Sequence, residues 1–142
     1  MSQENEEIVR QAIEAHSSDY HAGLSDEART ARIVALWDPR CEYTSVVSAV
    51  ESATYHGHDG IRQYLSDLAE RWAEWRAEAE DLREVDPDTV FLSFRFRAVG
   101  KDSGVPVDAR LGAVYVLSGG RLLRGRTYAS PKEALEAVGL SE

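Results

Sequence analysis

Histidine is the side chain whose charge changes most readily near neutral pH, and this chain carries four. Two of them, His56 and His58, stand two residues apart beside Asp59 in the stretch TYHGHDGIRQY (54–64), which begins like a metal site. Zinc asks for three or four converging Cys, His or carboxylate ligands. No other Cys or His lies near this stretch in the sequence. Gly57 supplies a turn, and Asp59 suits the exposed N–H groups of a first helical turn. The reading is a helix start, with no metal and no cofactor. His16 is a different case. It follows Ala12 on the apolar face of the first helical segment, with Tyr20 one turn later. Together with Tyr43 it offers an acid–base pair inside an apolar interior. The competing role is a histidine that closes a helix end on a backbone carbonyl. A third group, Arg95, Arg97, Arg110, Arg124 and Arg126, falls on one face of the late strands. It would attract an anion if left bare. Glu78, Glu80 and Asp108 stand within cross-strand reach, so paired surface charge is the favoured account.

The elements that must position these groups come from periodicity. Residues 4–16 place Ile8, Val9, Ala12, Ile13 and His16 at helical spacing. A second helix begins after Ser25, an N-cap followed by acidic residues, and runs through Ile33, Leu36 and Trp37 to stop before Pro39. Residues 41–47 form a short strand, and 47–55 a loop. A third helix from Gly57 carries Ile61, Leu65, Leu68, Trp72 and Trp75 on one face. Strands follow at about 77–86, 89–100, 104–117 and 121–129, separated by turn-forming residues, and a short helix spans 131–138.

Strand parity says which residues share a face. Val90, Leu92, Phe94, Phe96 and Ala98 alternate with Phe91, Ser93, Arg95 and Arg97, and Val107 to Leu117 repeats the pattern. A four-residue loop at 101–104 pairs Phe96 with Ala109, Phe94 with Leu111, Arg97 with Asp108 and Arg95 with Arg110. For the last hairpin a three-residue loop at 118–120 pairs Tyr115 with Leu123, Ala113 with Gly125 and Leu111 with Thr127. A two-residue turn would drive Arg124 and Arg126 into the apolar face, a costly burial. Gly125 opposite Ala113 then marks the widest part of the interior.

At 142 residues, 43% hydrophobic and 29% charged, the chain is long enough to bury one core. No apolar run reaches the length of a membrane helix. A net charge of −9 opposes nucleic acid and anionic membranes as partners. The acidic start MSQENEEIV lacks the features of a secretory signal, and the one cysteine, Cys41, excludes an internal disulfide. Both point to the cytoplasm.

Helices followed by a curved antiparallel sheet with one apolar face make an α+β cone. WDPRCEY (37–43), YHGHDGI (55–61), SGGRL (118–122) and ALEAVGL (134–140), in this order, resemble SnoaL-like proteins of the nuclear transport factor 2-like superfamily. The resemblance implies a single SnoaL-like domain over 1–142, a cone-shaped fold with an internal pocket, and a homodimer paired through the outer sheet face. It also implies where enzymes of the superfamily keep their catalytic groups. The charged positions of the epoxide hydrolases fall at Phe94, Phe96 and Thr127, and their water-holding Tyr and Asn at Tyr43 and Ser45. The ketosteroid isomerase base falls near Ser45 and its tyrosine near Ala12. The catalytic sets are absent but for Tyr43. The leading expectation is a small-molecule-binding domain with a largely apolar pocket. His16, Tyr20, Tyr43, Ser45, Trp72, Phe94, Phe96, Leu111, Ala113, Tyr115, Leu123 and Thr127 would meet a small apolar or aromatic molecule. Two alternatives stand beside it: an isomerase or cyclase using His16 and Tyr43, and a non-catalytic dimerisation module.

Overall fold

A computed structural model describes residues 2–18, 23, 25–46 and 52–140. The elements run α1 (Ser2–Ala15), α2 (Asp26–Val34), β1 (Trp37–Val46), β2 (Ser52–His56), α3 (Gly57–Arg71), β3 (Trp72–Asp86), β4 (Thr89–Gly100), β5 (Pro106–Ser118), β6 (Arg121–Tyr128) and α4 (Pro131–Ala137). The strands form one curved sheet in the order β2-β1-β6-β5-β4-β3. Every neighbouring pair is antiparallel except β1 and β6, which run parallel, so the sheet is mixed rather than wholly antiparallel. No described helix is long and apolar enough to cross a membrane.

The helices form where spacing and caps require them, and stop where pairing with the sheet outcompetes helical continuation. α1 turns Val9, Ala12 and Ile13 into the core. α2 starts at Ser25, whose hydroxyl accepts the Ala28 N–H at 3.1 Å, a cap worth about 1 kcal/mol. The expected continuation through Trp37 does not occur. Leu36 gives its carbonyl to the Leu122 N–H and Trp37 pairs with Leu122, so the chain is already in β1. α3 likewise ends earlier than its apolar stripe suggested. Trp72 is extended, and both Trp72 and Trp75 belong to β3. Ala73 is an extra residue against β4, so these two tryptophans keep one face although they stand three apart. Part of the segment read as a loop is strand β2, paired with β1.

The β4–β5 register is the one parity dictates, with Phe96 opposite Ala109, Phe94 opposite Leu111, Arg95 opposite Arg110 and Arg97 opposite Asp108. The β5–β6 hairpin differs. Its turn is the two-residue Gly119-Gly120, both with positive φ (58° and 79°), and it pairs Ser118 with Arg121 and Leu117 with Leu122. Leu123 is then bulged out, so Val116 faces Arg124, Tyr115 faces Gly125 and Ala113 faces Thr127. The bulge restores the parity that the short turn would have inverted. Arg124 and Arg126 stay exposed, while Leu122, Gly125 and Thr127 are buried.

The inner face carries Val90, Leu92, Phe94, Ala113, Tyr115 and Leu117 against Ile13, Trp37, Tyr43, Ile61 and Leu65. Gly125 is not a gap here. A Cβ at that position would stand 2.7 Å from the Tyr115 ring and 3.0 Å from Trp37, so its missing side chain is what lets those rings close. On the outer face α4 covers Phe91 with Ala134 and Leu135. It lies so close to Gly112 that a Cβ there would meet Ala134 Cβ at 2.7 Å and Ser130 O at 2.8 Å.

Candidate functional site

Wrapping one apolar sheet face around α1 and α3 leaves a cavity of 330 Å³, within the range of small-molecule sites. The end of α1 is fastened to β3 by serines. Ser17 Oγ accepts the Ala77 N–H at 2.8 Å, Ser18 N–H donates to Trp75 O at 2.9 Å, and Trp75 Nε1–H donates to His16 O. That clamp turns the His16 ring inward, where it is 4% exposed and stands 6.1 Å from Tyr43 and 5.2 Å from Tyr64, centroid to centroid. Strand β1 supplies Tyr43 and Ser45, β6 supplies Thr127 and α3 supplies Tyr64; these form the closed end. The open end is more exposed. There Leu68, Asp67 and Arg71 of α3 meet Trp72 of β3, Phe96 of β4, and Val107, Ala109 and Leu111 of β5.

His16, Tyr43, Ser45, Trp72, Phe94, Phe96, Leu111 and Thr127 thus line the cavity. Ala113 and Tyr115 are fully buried on the same face but lie behind the lining. Leu123, expected inside, is the bulged residue and is half-buried away from the lining; Leu122 takes its place in the core. Tyr20 lies outside the described residues. Tyr55, Tyr64, Asp67 and Arg71 were missed from sequence. Tyr64, Asp67, Leu68 and Arg71 do stand at i, i+3, i+4 and i+7, a second stripe on α3 beside Ile61 and Leu65. Its charged members read as solvent-facing.

Burial fixes the electrostatics of the closed end. It lowers the His16 pKa from 6.5 to about 4, so the imidazole is neutral at pH 7. It also pushes the phenols of Tyr43, Tyr64 and Tyr115 upward, so all three keep their protons. Around the Tyr43 hydroxyl gather those of Tyr64, Ser45, Thr127 and Tyr115. Thr127 Oγ1 also accepts the Val46 N–H at 2.8 Å, which joins β6 to β1. Two of the six buried side-chain polar atoms left without a partner among the described residues belong to His16 and Tyr115. His16 Nε2 has no hydrogen-bond partner, and the Tyr115 hydroxyl, although near Tyr43, makes no hydrogen bond of normal geometry. Toward the opening, Tyr55 donates to Asp67 Oδ2 at 2.6 Å; burial first, then this bond, raise its pKa to about 12. The closed end is therefore a set of neutral donors and acceptors within aromatic walls. It suits recognition of a ligand's polar groups better than proton transfer, which favours a group titrating near working pH.

The remaining candidate groups lie elsewhere. His58 Nε2–H donates to the Trp37 carbonyl at 2.7 Å and pins the start of α3 to β1, while His56 faces Glu42 across the β1–β2 pair with 3.7 Å between Nδ1 and Oε2. Among the described residues no three His, Cys, Asp or Glu side chains converge as metal ligands would. The arginine face is cross-linked within the chain: Arg95 to Asp108 at 2.9 Å, Arg97 to Glu78 at 3.3 Å and Arg110 to Glu80 at 2.9 Å.

Comparison with known proteins places this architecture. The SnoaL-like domain family matches residues 18–125. Among solved structures, a protein of ketosteroid isomerase-like fold from Catenulispora acidiphila DSM 44928, in complex with trimethylamine, superposes with a TM-score of 0.69 at 16% identity, over 94% of this chain and 93% of that one. TerC co-crystallised with polyporic acid gives 0.69 at 14% identity, over 95% and 98%. A phenazine biosynthesis-related protein from Pseudomonas aeruginosa gives 0.67 at 13% identity, over 99% and 88%. Likeness at these identities establishes a shared fold and leaves the chemistry to the site. No curated protein matches the sequence.

Proposed function

The chain belongs to the SnoaL-like domain family, and we propose that it is a receptor for a small aromatic molecule, held in the cone without covalent change. One observation carries this reading: an aromatic cavity of 330 Å³ whose closed end presents hydroxyls and a neutral imidazole, with no group there that is charged at neutral pH. A flat, apolar body fills the walls. A polar group at its inner tip would satisfy His16 Nε2, which otherwise stays buried without a hydrogen-bond partner. Small molecules bound to proteins of the same fold, trimethylamine in one and polyporic acid in another, support the same use of the cone.

Calorimetric titration with 2-naphthamide and 2-naphthoate, two-ring aromatics of one shape, tests the proposal. Binding of at least one is expected, and Leu111→Trp, which projects an indole into the open half, should abolish it while leaving the melting transition in place. Absence of binding by either compound to the folded protein overturns the receptor reading.

The unpartnered His16 Nε2 beside Tyr43 and Tyr64 also supports a second reading, an isomerase or cyclase in which His16 accepts a proton and Tyr43 returns one. The low His16 pKa and raised Tyr43 pKa make both steps unfavourable, so this reading stands second. In either case two copies pair through the outer sheet face, on the part that α4 leaves open. Arg95, Arg97 and Arg110 there are already paired with carboxylates within one chain, so a partner can cover these three without stranding an ion.

A further inference from the structure

We infer that the ligand carries one anionic oxygen group, a carboxylate or an enolate, and that Arg71 at the mouth of the cavity selects for it. This rests on the receptor reading above and names the class of molecule. Two charged side chains line the cavity, Asp67 and Arg71, and they stand one helical turn apart on α3. Their situations differ. Both oxygens of Asp67 are engaged: Oδ2 accepts the Tyr55 hydroxyl at 2.6 Å and Oδ1 accepts Gln63 Nε2 at 2.8 Å. Arg71 forms no ion pair among the described residues, in contrast to Arg95, Arg97 and Arg110 of the outer face, which are held by carboxylates. A cation in the last turn of a helix is favoured by the helix dipole wherever its side chain points. That explains an arginine at this position but not why its side chain borders an aromatic cavity.

The depth gradient sets the ligand's orientation. At the closed end His16, Tyr43, Tyr64 and Thr127 are buried and uncharged, so an anion placed there would lose its hydration against neutral donors alone. At the open end Arg71 is exposed and Trp72, Phe96 and Leu111 are half-buried, so an anion keeps part of its water and gains a guanidinium. Lys101 adds positive charge nearby. Its N–H donates to Arg71 O at 3.0 Å and its Nζ to Ala69 O at 3.2 Å, so it closes the end of the same helix. A molecule with an aromatic body and one terminal acidic group would therefore enter body first and stop with its anion at Arg71.

The two naphthalene probes separate this inference from the reading beneath it, because they differ only in charge. Calorimetry at low ionic strength should find 2-naphthoate bound about fivefold more tightly than 2-naphthamide, the scale of a partly exposed ion pair. Arg71→Gln should bring the acid down to the amide's affinity and leave the amide within about twofold. Asp67→Asn, which keeps an acceptor for Tyr55 and removes a nearby negative charge, should tighten the acid alone. Equal affinities for the two probes overturn the inference and leave the receptor standing. So does an Arg71→Gln variant that weakens both equally. Failure of both probes to bind removes the receptor and the inference together.

Discussion

His16 ties burial to acid stability in a way that can be measured. In the folded chain its pKa falls from 6.5 to about 4 because desolvation penalises the imidazolium. The unfolded chain binds the proton more tightly, so the contribution is whole above pH 6.5 and is lost as pH falls from 6.5 toward 4. At full effect it amounts to about 3 kcal/mol. Urea denaturation between pH 7 and pH 4.5 should show a shallower loss of stability for His16→Leu than for the native chain. Parallel curves would mean that the imidazole is solvated after all. At this scale the sequence was partly legible. The position of His16 on the core face of α1 followed from spacing with Ala12, and Tyr43, Ser45 and Thr127 followed from strand parity. Asp67 and Arg71 did not, because a charged residue on a helix reads as solvent-facing until the sheet that curls over it is known.

The elements that could be read were those with an unbroken pattern. β4 and β5 alternate without interruption, and their alternation alone dictates the observed register. The errors lie where one element hands over to the next. The apolar spacing of α2 and α3 continues numerically into Trp37, Trp72 and Trp75, but pairing with β6 and β4 takes those residues into strands. A two-residue Gly119-Gly120 turn on an unbroken strand would bury Arg124 and Arg126, and the Leu123 bulge removes that cost. A bulge leaves no mark in hydrophobic alternation that a register argument can use. Gly112 makes the seating of α4 testable at the same scale. Gly112→Ala places a Cβ 2.7 Å from Ala134 Cβ and 2.8 Å from Pro131 Cα. It should destabilise the chain by about 1–3 kcal/mol as an overpacked contact. In a chain truncated after Ala129, which removes all three of the atoms that the Cβ would meet, the cost of the same substitution should largely vanish. If it persists there, the strain lies in β5 itself.

At the scale of the whole molecule the cone has two working surfaces. Inside, exposure rises from the tyrosine cluster to Arg71; outside, α4 and the ion-paired strands divide the sheet. Val114 lies on the outer sheet face but packs against the Phe91, Ala134 and Leu135 cluster under α4. The pairing of two copies proposed above would then use the region of Arg95, Arg97 and Arg110. Reversing charge there, with Arg95→Glu and Arg97→Glu together, would set like charges against Glu78 and Asp108 and should yield monomers in sedimentation velocity, with only a small change in stability since the pairs are exposed. A dimer that survives the double reversal would put the contact elsewhere.

The parallel junction of β1 with β6 also governs how the chain can be made. Tyr43 must wait for Gly125, and the Val46 N–H for Thr127, before the tyrosine end of the cavity has a floor. Contacts of such long sequence separation slow folding, because the loop between them must be ordered first. On a ribosome, β1 and β2 would emerge with one edge bare and stay so until nearly the whole chain had followed. Closure of the sheet and creation of the cavity are consequently one late event, and a nascent chain short of β6 has neither.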